Sequence, residues 1–148
     1  MTIKEVLSFY DNQPIVILST LGLDGNPQTR ALVNIRNKNI SPNLTEYFKN
    51  TNRILLMTNT HSDKIGEIAK NGASSLYMYD NEFNGLSLTG TMTEITDDET
   101  KDAIWDESLR MYYPDGRHGG DFSIIEFTPK TFKSYRGTDF TKKSGPVK

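Results

Sequence analysis

The chain contains no cysteine, which removes disulfides, thiolate catalysis, zinc–cysteine sites and iron–sulfur clusters in one step. Histidine is nearly as scarce: His61 and His118 are the only imidazoles, too few for a metal cluster, and each reads as a polar loop residue. Neither sign of charge is in excess, with 17 basic against 19 acidic side chains and a net charge of −2. The sequence therefore offers no electrostatic footprint for nucleic acid or an anionic membrane. The longest apolar runs, residues 15–18 and 54–57, are far short of a bilayer span, and residues 1–6 lack the basic-then-apolar order of a signal peptide. No Walker loop, no serine–histidine–acid order and no carboxylate pair stands out. These absences leave the expectation of a cytoplasmic, soluble, single domain of 148 residues, with neither a nucleic-acid nor a membrane partner.

What is present is a succession of short, patterned segments. Thr2 and Glu5 make a capping-box pattern, and Ile3, Val6, Leu7 and Tyr10 fall on one face before residues 11–14 stop the run, which predicts a short amphipathic helix. Residues 15–20 are β-branched and apolar, Asp24-Gly25 is a tight-turn pair, and residues 27–36 alternate, with Arg30, Asn34 and Arg36 opposite Ala31, Val33 and Ile35. This predicts a β-hairpin in which Arg36 is solvated, while Arg30, on the same polar face, is a second cation of interest that would read as solvated only if it stood alone. Leu44, Tyr47 and Phe48 mark a helical turn inside an asparagine-rich connection. A third strand (53–57), a helix (62–70), a second hairpin (75–80 with 86–95, Gly90 marking a bend) and a helix capped by Thr96 and Glu99 and running to Tyr113 follow. Two short strands around Pro129 close the pattern, and residues 137–148 read as a flexible tail. About seven strands, about three flanking helices and no regular βαβ alternation predict a mainly antiparallel sheet closing into a barrel.

The most chemically suggestive stretch is Thr58-Asn-Thr-His-Ser-Asp-Lys64, at the junction of a strand and a helix. Thr60 with Asp63, or Ser62 alone, would make an ordinary helix cap. The same geometry would equally seat an anion, because unpaired N–H groups and the positive end of a helix attract one, and hydroxyls with a lysine complete a phosphate site.

The stretches ILSTLGLDGNPQTRALV, LLMTNTHSDK and LSLTGTMTEITDDETKDAIW recur in an order that resembles the pyridoxamine-phosphate-oxidase-like flavoproteins, in particular their general stress protein branch. The resemblance implies an FMN-binding split barrel that forms a homodimer, with the cofactor at the subunit interface and small-molecule electron donors and acceptors. It implies that Arg30 and Lys64 neutralise the FMN phosphate while Ser62 and Thr58 donate hydroxyls. Ala31, Leu32 and Val33 would run along the isoalloxazine through main-chain groups, Met57 and Asn59 would flank the same wall, and Tyr135 would reach the flavin from the second subunit. Two departures count against pyridoxamine-phosphate oxidase activity itself. Asp63 stands where those oxidases carry a further arginine, and the chain ends before the segment that grips the vitamin phosphate. The expectation is an oxidoreductase or flavin reductase; a non-catalytic flavin carrier or sensor, or the same barrel holding a deazaflavin or haem, are the alternatives.

Overall fold

The computed structural model describes all residues, Met1–Lys148. Helix α1 (Ile3–Tyr10) opens the chain behind the expected capping box, Thr2 with Glu5. Strands β1 (Ile15–Leu21) and β2 (Pro27–Val33) form the first hairpin, closed through Gly25 at φ 86°, a left-handed value that glycine adopts without strain. A 3-10 turn (Pro42–Leu44), helix α2 (Thr45–Lys49), strand β3 (Ile54–Asn59) and helix α3 (Asp63–Lys70) come next. Strands β4 (Ala73–Tyr79) and β5 (Gly85–Ile95) make the second hairpin. Helix α4 (Asp98–Ile104), a 3-10 turn (Glu107–Met111) and strands β6 (Phe122–Tyr135) and β7 (Lys142–Pro146) complete the chain.

All strand pairs are antiparallel, in the order β2-β1-β4-β5-β6-β3, with β7 added to β6. The sheet is not closed: β2 and β3 are its two ends and do not pair with one another, so the barrel is split. Strand β6 is the spine. One of its edges carries β5 along its length; the other carries β3 opposite residues 122–127 and β7 opposite residues 131–135. Pro129 lies between those two stretches and faces Gly90, where the β5–β6 register shifts. A residue without an N–H is tolerated there because the ladder is already interrupted.

Two clusters form the core. The larger holds Val6, Leu7, Tyr10, Val16, Leu18, Leu76, Leu88 and Phe127, with α1 covering it; the smaller holds Ile35, Phe48, Leu55, Ile104, Phe122 and Ile124. Ile54 and Leu56 face the first cluster while Leu55 faces the second. Strand β3 is thus buried on both faces, which is why it reads as a continuous apolar run and not as an alternation.

Several expectations need correction. There are four helices, not three, because the turn at residues 45–49 is a true helix. The last helix stops at Ile104 and is capped by Asp97, whose side chain accepts from the Thr100 amide. Trp105 leaves it in extended conformation (ψ 138°), and the stretch expected to continue the helix to Tyr113 holds a 3-10 turn (Glu107–Met111) instead. The two strands around Pro129 are one strand of 14 residues. The tail is not free: β7 pairs with β6, and the Lys148 amide donates to the Met1 carbonyl at 3.0 Å. Arg36 is not solvated. It lies beyond the end of β2 and is 7% exposed. Its Nε and Nη2 grip Asp11 at 2.7 and 3.1 Å, and it donates to the carbonyls of Phe48, Thr51 and Arg53. Five donors in a rigid fork let arginine gather three carbonyls and a carboxylate at one point.

Candidate functional site

The junction after β3 is built as follows. Thr58 is the penultimate residue of β3, buried and opposite Ser123 of β6. The chain turns through residues 60–62, held by the Thr60 amide donating to the Asp121 carbonyl (2.9 Å) and by the Thr60 and Ser123 hydroxyls (2.6 Å). With its hydroxyl spent on Ser123, Thr60 does not cap α3. Ser62 is the N-cap, and no side chain caps the first turn. The Ile65 amide donates to the Ser62 carbonyl (3.1 Å), and the amides of Asp63 and Lys64 remain open to an incoming acceptor. Lys64 reaches back to donate to Thr58 Oγ1 at 2.9 Å, and Thr58 Oγ1 lies 3.2 Å from Ser62 Oγ. One ammonium, two hydroxyls and an open helix start thus converge, a donor set suited to a phosphate oxyanion.

Arg30, on the edge strand β2, comes to the same region. Burial, and next the Arg30 charge, hold the Lys64 ammonium below the ordinary lysine range, against the opposing pull of Glu67 and Asp63. Two cations thus lie close enough for one to feel the other. Arg30 is nevertheless partly satisfied from within. Its Nη2 is 2.9 Å from Glu67 Oε1, its Nη1 donates to Thr20 Oγ1 at 2.7 Å, and Thr20 Oγ1 donates to Glu67 Oε1 at 2.8 Å.

The remaining expected residues divide between neighbouring surfaces. Arg30 and Ser62 line a cavity of about 580 Å³ with Asp24, Asp63, Gly66 and Glu67. Val33, Met57 and Asn59 line a more apolar cavity of about 670 Å³ with Ile35, Leu109 and Tyr113. Ala31 lies on the outward face of β2, in a cavity of about 700 Å³ shared with Ile15, Ile17, Tyr77 and Tyr79. Leu32 turns inward and packs on the larger core. Tyr135 is not brought to the site within one chain: it pairs with Gly85 at the far end of β6 from Thr58.

Two participants escaped sequence reasoning. Glu67, 6% exposed, and Thr20, 2% exposed, complete the ring around Arg30. Thr20 had a readable signal, since it continues the buried register of Val16 and Leu18 along β1. A polar side chain on that face requires a polar partner. Glu67 sits beside the buried Ile68 on a helix of mixed pattern and carries no comparable sign.

The family model described as "Pyridoxamine 5'-phosphate oxidase" matches residues 2–136. No curated protein matches the sequence. Among solved structures, a protein related to general stress protein 26 of B. subtilis (pyridoxinephosphate oxidase family), from Clostridium acetobutylicum, is 24% identical with TM-score 0.75, over 98% of this chain and 94% of that one. A pyridoxamine 5'-phosphate oxidase-related, FMN binding protein from Nostoc punctiforme PCC 73102 is 15% identical with TM-score 0.61, over 97% and 90%. A heme binding protein from Mycobacterium smegmatis is 14% identical with TM-score 0.66, over 97% of this chain and 57% of that one. At these identities the likeness establishes the fold alone, and that fold serves more than one cofactor.

Proposed function

We propose, from the premise that the chain belongs to the pyridoxamine 5'-phosphate oxidase family, that it is an FMN-binding flavoprotein acting as an oxidoreductase or flavin reductase between small-molecule partners. The observation that carries this reading is the convergence of Lys64, Thr58 and Ser62 at the open start of α3, with the charge of Arg30 felt at Lys64. FMN, when bound, supplies the electron-transfer chemistry; the chain supplies binding, orientation and electrostatics. Lys64 and Arg30 neutralise the phosphate, and Thr58 and Ser62 hydrogen-bond it. Strand β2 pairs only with β1, so the second backbone edge of Ala31, Leu32 and Val33 is free to meet the ring system through main-chain groups. Met57 and Asn59 wall the same space with Val33.

The homodimer belongs to the same proposal. Ile15 pairs with Val33, and Ile17 lies between Ala31 and Tyr77. Tyr77 stacks on Tyr79 with ring centroids 6.1 Å apart. Ile15, Val33, Tyr77 and Tyr79 are 45%, 50%, 38% and 57% exposed in a single chain, an apolar face of the kind that a second copy covers. Tyr135 then contributes from the partner subunit. No helix is long and apolar enough to cross a membrane.

A haem finds less support in the side chains. His61 is exposed, and His118 is exposed with its ring held between Asp98 (3.3 Å) and Asp102 (2.9 Å). The test is purification from flavin-replete cells followed by FMN titration. Bound absorbance and quenched flavin fluorescence are expected, and neither signal appearing overturns the reading. Mass spectrometry of the released ligand separates FMN from a deazaflavin, and stopped-flow reduction by reduced nicotinamide separates an enzyme from a carrier.

A further inference from the structure

The cation nearest β2 is not waiting empty-handed. Arg30 is 24% exposed at its side chain and Glu67 only 7%, and their contact is 2.9 Å. The Thr20 hydroxyl donates to Glu67 and accepts from Arg30, so the three side chains form a closed ring. A carboxylate in that position performs, within the chain, the service an external oxyanion would perform: it neutralises the guanidinium and accepts its hydrogen bonds. Thr20 locks the arrangement from beneath. Glu67 also faces the cavity that Arg30 and Ser62 line, together with Asp63 and Asp24. Two cations, Arg30 and Lys64, therefore meet two carboxylates of α3, Glu67 and Asp63, near the seat. A phosphate entering such a site gains less than two free cations would give it, because part of the attraction is already spent and a like charge stands close by.

Resting on the flavin reading above, we propose that Glu67 is a specificity-determining residue: a built-in competitor for Arg30 that holds down the contribution of the ligand's phosphate and keeps the cofactor exchangeable. A phosphorylated flavin must displace the Glu67 carboxylate from Arg30 or bind beside it, and either route costs affinity. A flavin without phosphate incurs neither cost. Glu67 thereby narrows the gap between phosphorylated and unphosphorylated ligands, and it keeps Arg30 paired when the seat is vacated.

The experiment is fluorescence titration of FMN and riboflavin against the full chain, wild type and Glu67→Gln. Glutamine is isosteric and retains an oxygen for Thr20 and Arg30, so only the charge is removed. The expected result is FMN binding tightened about tenfold, a step of the size a charge-assisted contact supplies, with riboflavin binding changed less than twofold. In Arg30→Gln/Glu67→Gln the gain should vanish, since it acts through Arg30. Should Glu67→Gln not fold, Glu67→Met, which keeps the volume, must show the same phosphate-selective gain. If wild type binds FMN and the variant binds it no more tightly, or gains equally for riboflavin, the inference is overturned while the cofactor reading stands. If neither wild type nor variant binds FMN, the cofactor reading falls and takes this inference with it.

Discussion

Lys64 Nζ donates to the Thr58 hydroxyl at 2.9 Å and forms no ion pair with a carboxylate, whereas Arg30, its neighbouring cation, is paired with Glu67. The two cations are therefore unequal. Lys64 holds its charge against a neutral oxygen and can offer it to a ligand; the charge of Arg30 is already shared with a carboxylate.

Lys64→Ala should weaken FMN binding by about 1.5–3 kcal/mol, the worth of a charge-assisted contact. The melting temperature should stay close to that of the wild type, because Lys64 caps no helix and closes no ion pair. Titration of FMN beside thermal unfolding checks both halves; unchanged affinity would mean that the phosphate seat is misplaced.

Arg30→Ala should differ in kind. It removes the partner of a buried Glu67, so stability should fall by about 2 kcal/mol even without ligand. Denaturant unfolding of the ligand-free protein measures this. Stability equal to that of Lys64→Ala would show that the Glu67 ring contributes nothing to the fold.

The lowered Lys64 pKa fixes the direction of a pH effect. Its charged form is disfavoured in the folded, ligand-free protein, so below the depressed value folding carries a penalty that is relieved as pH rises through that value towards the ordinary lysine range. Phosphate binding runs the other way, since it needs the charge. FMN affinity should decline on the alkaline side, beginning below the pH at which an ordinary lysine titrates. Riboflavin measured in parallel corrects for the ring's own titration, and the phosphate-dependent decline should be absent in Lys64→Ala.

Arg36→Ala should destabilise the protein by about 3 kcal/mol, through the loss of bonds to Asp11 and to three backbone carbonyls in a nearly dry site. Flavin affinity of the folded fraction should be unaltered. Urea unfolding with FMN titration below the transition tests this separation of scaffold from site.

Gly90→Ala should be destabilising by about 2 kcal/mol, because a Cβ there would collide with the Thr128 carbonyl and come within 3.0 Å of Pro129 Cα, both backbone atoms that cannot swing aside. A shift of the urea midpoint measures it, and an unchanged midpoint would mean that β5 and β6 are less closely apposed at the bulge.

Much of the fold was legible because local signals and tertiary structure agreed. The Thr2–Glu5 capping box, the Asp24-Gly25 turn and the hairpin of β4 with β5 all form as read. Sequence failed where partners lie far apart along the chain. Arg36 alternates like a solvent-facing strand residue, but its meaning comes from Asp11 and from carbonyls at positions 48, 51 and 53. The tail from residue 137 has a frayed composition, yet β6 offers it an unoccupied edge beyond Pro129. The contacts among Thr58, Ser62 and Lys64 were within reach of spacing alone, because the three lie within seven residues of one another. Glu67 and Thr20 were not, since they are separated by 47 positions and meet only when α3 folds back over β1.

Strand β6 sets an order of assembly. Both β5 and β3 hydrogen-bond to it, and nothing else links β3 to the sheet. During synthesis the hairpins β1–β2 and β4–β5 can pair as soon as they emerge, but β3 must wait for residues 122–127 with its apolar run unsheltered. The halves of the proposed phosphate seat, one on β2 and one at the end of β3, thus come together only once residues 122–127 have been made. Until then the apolar run of β3 lacks the strand that shelters it.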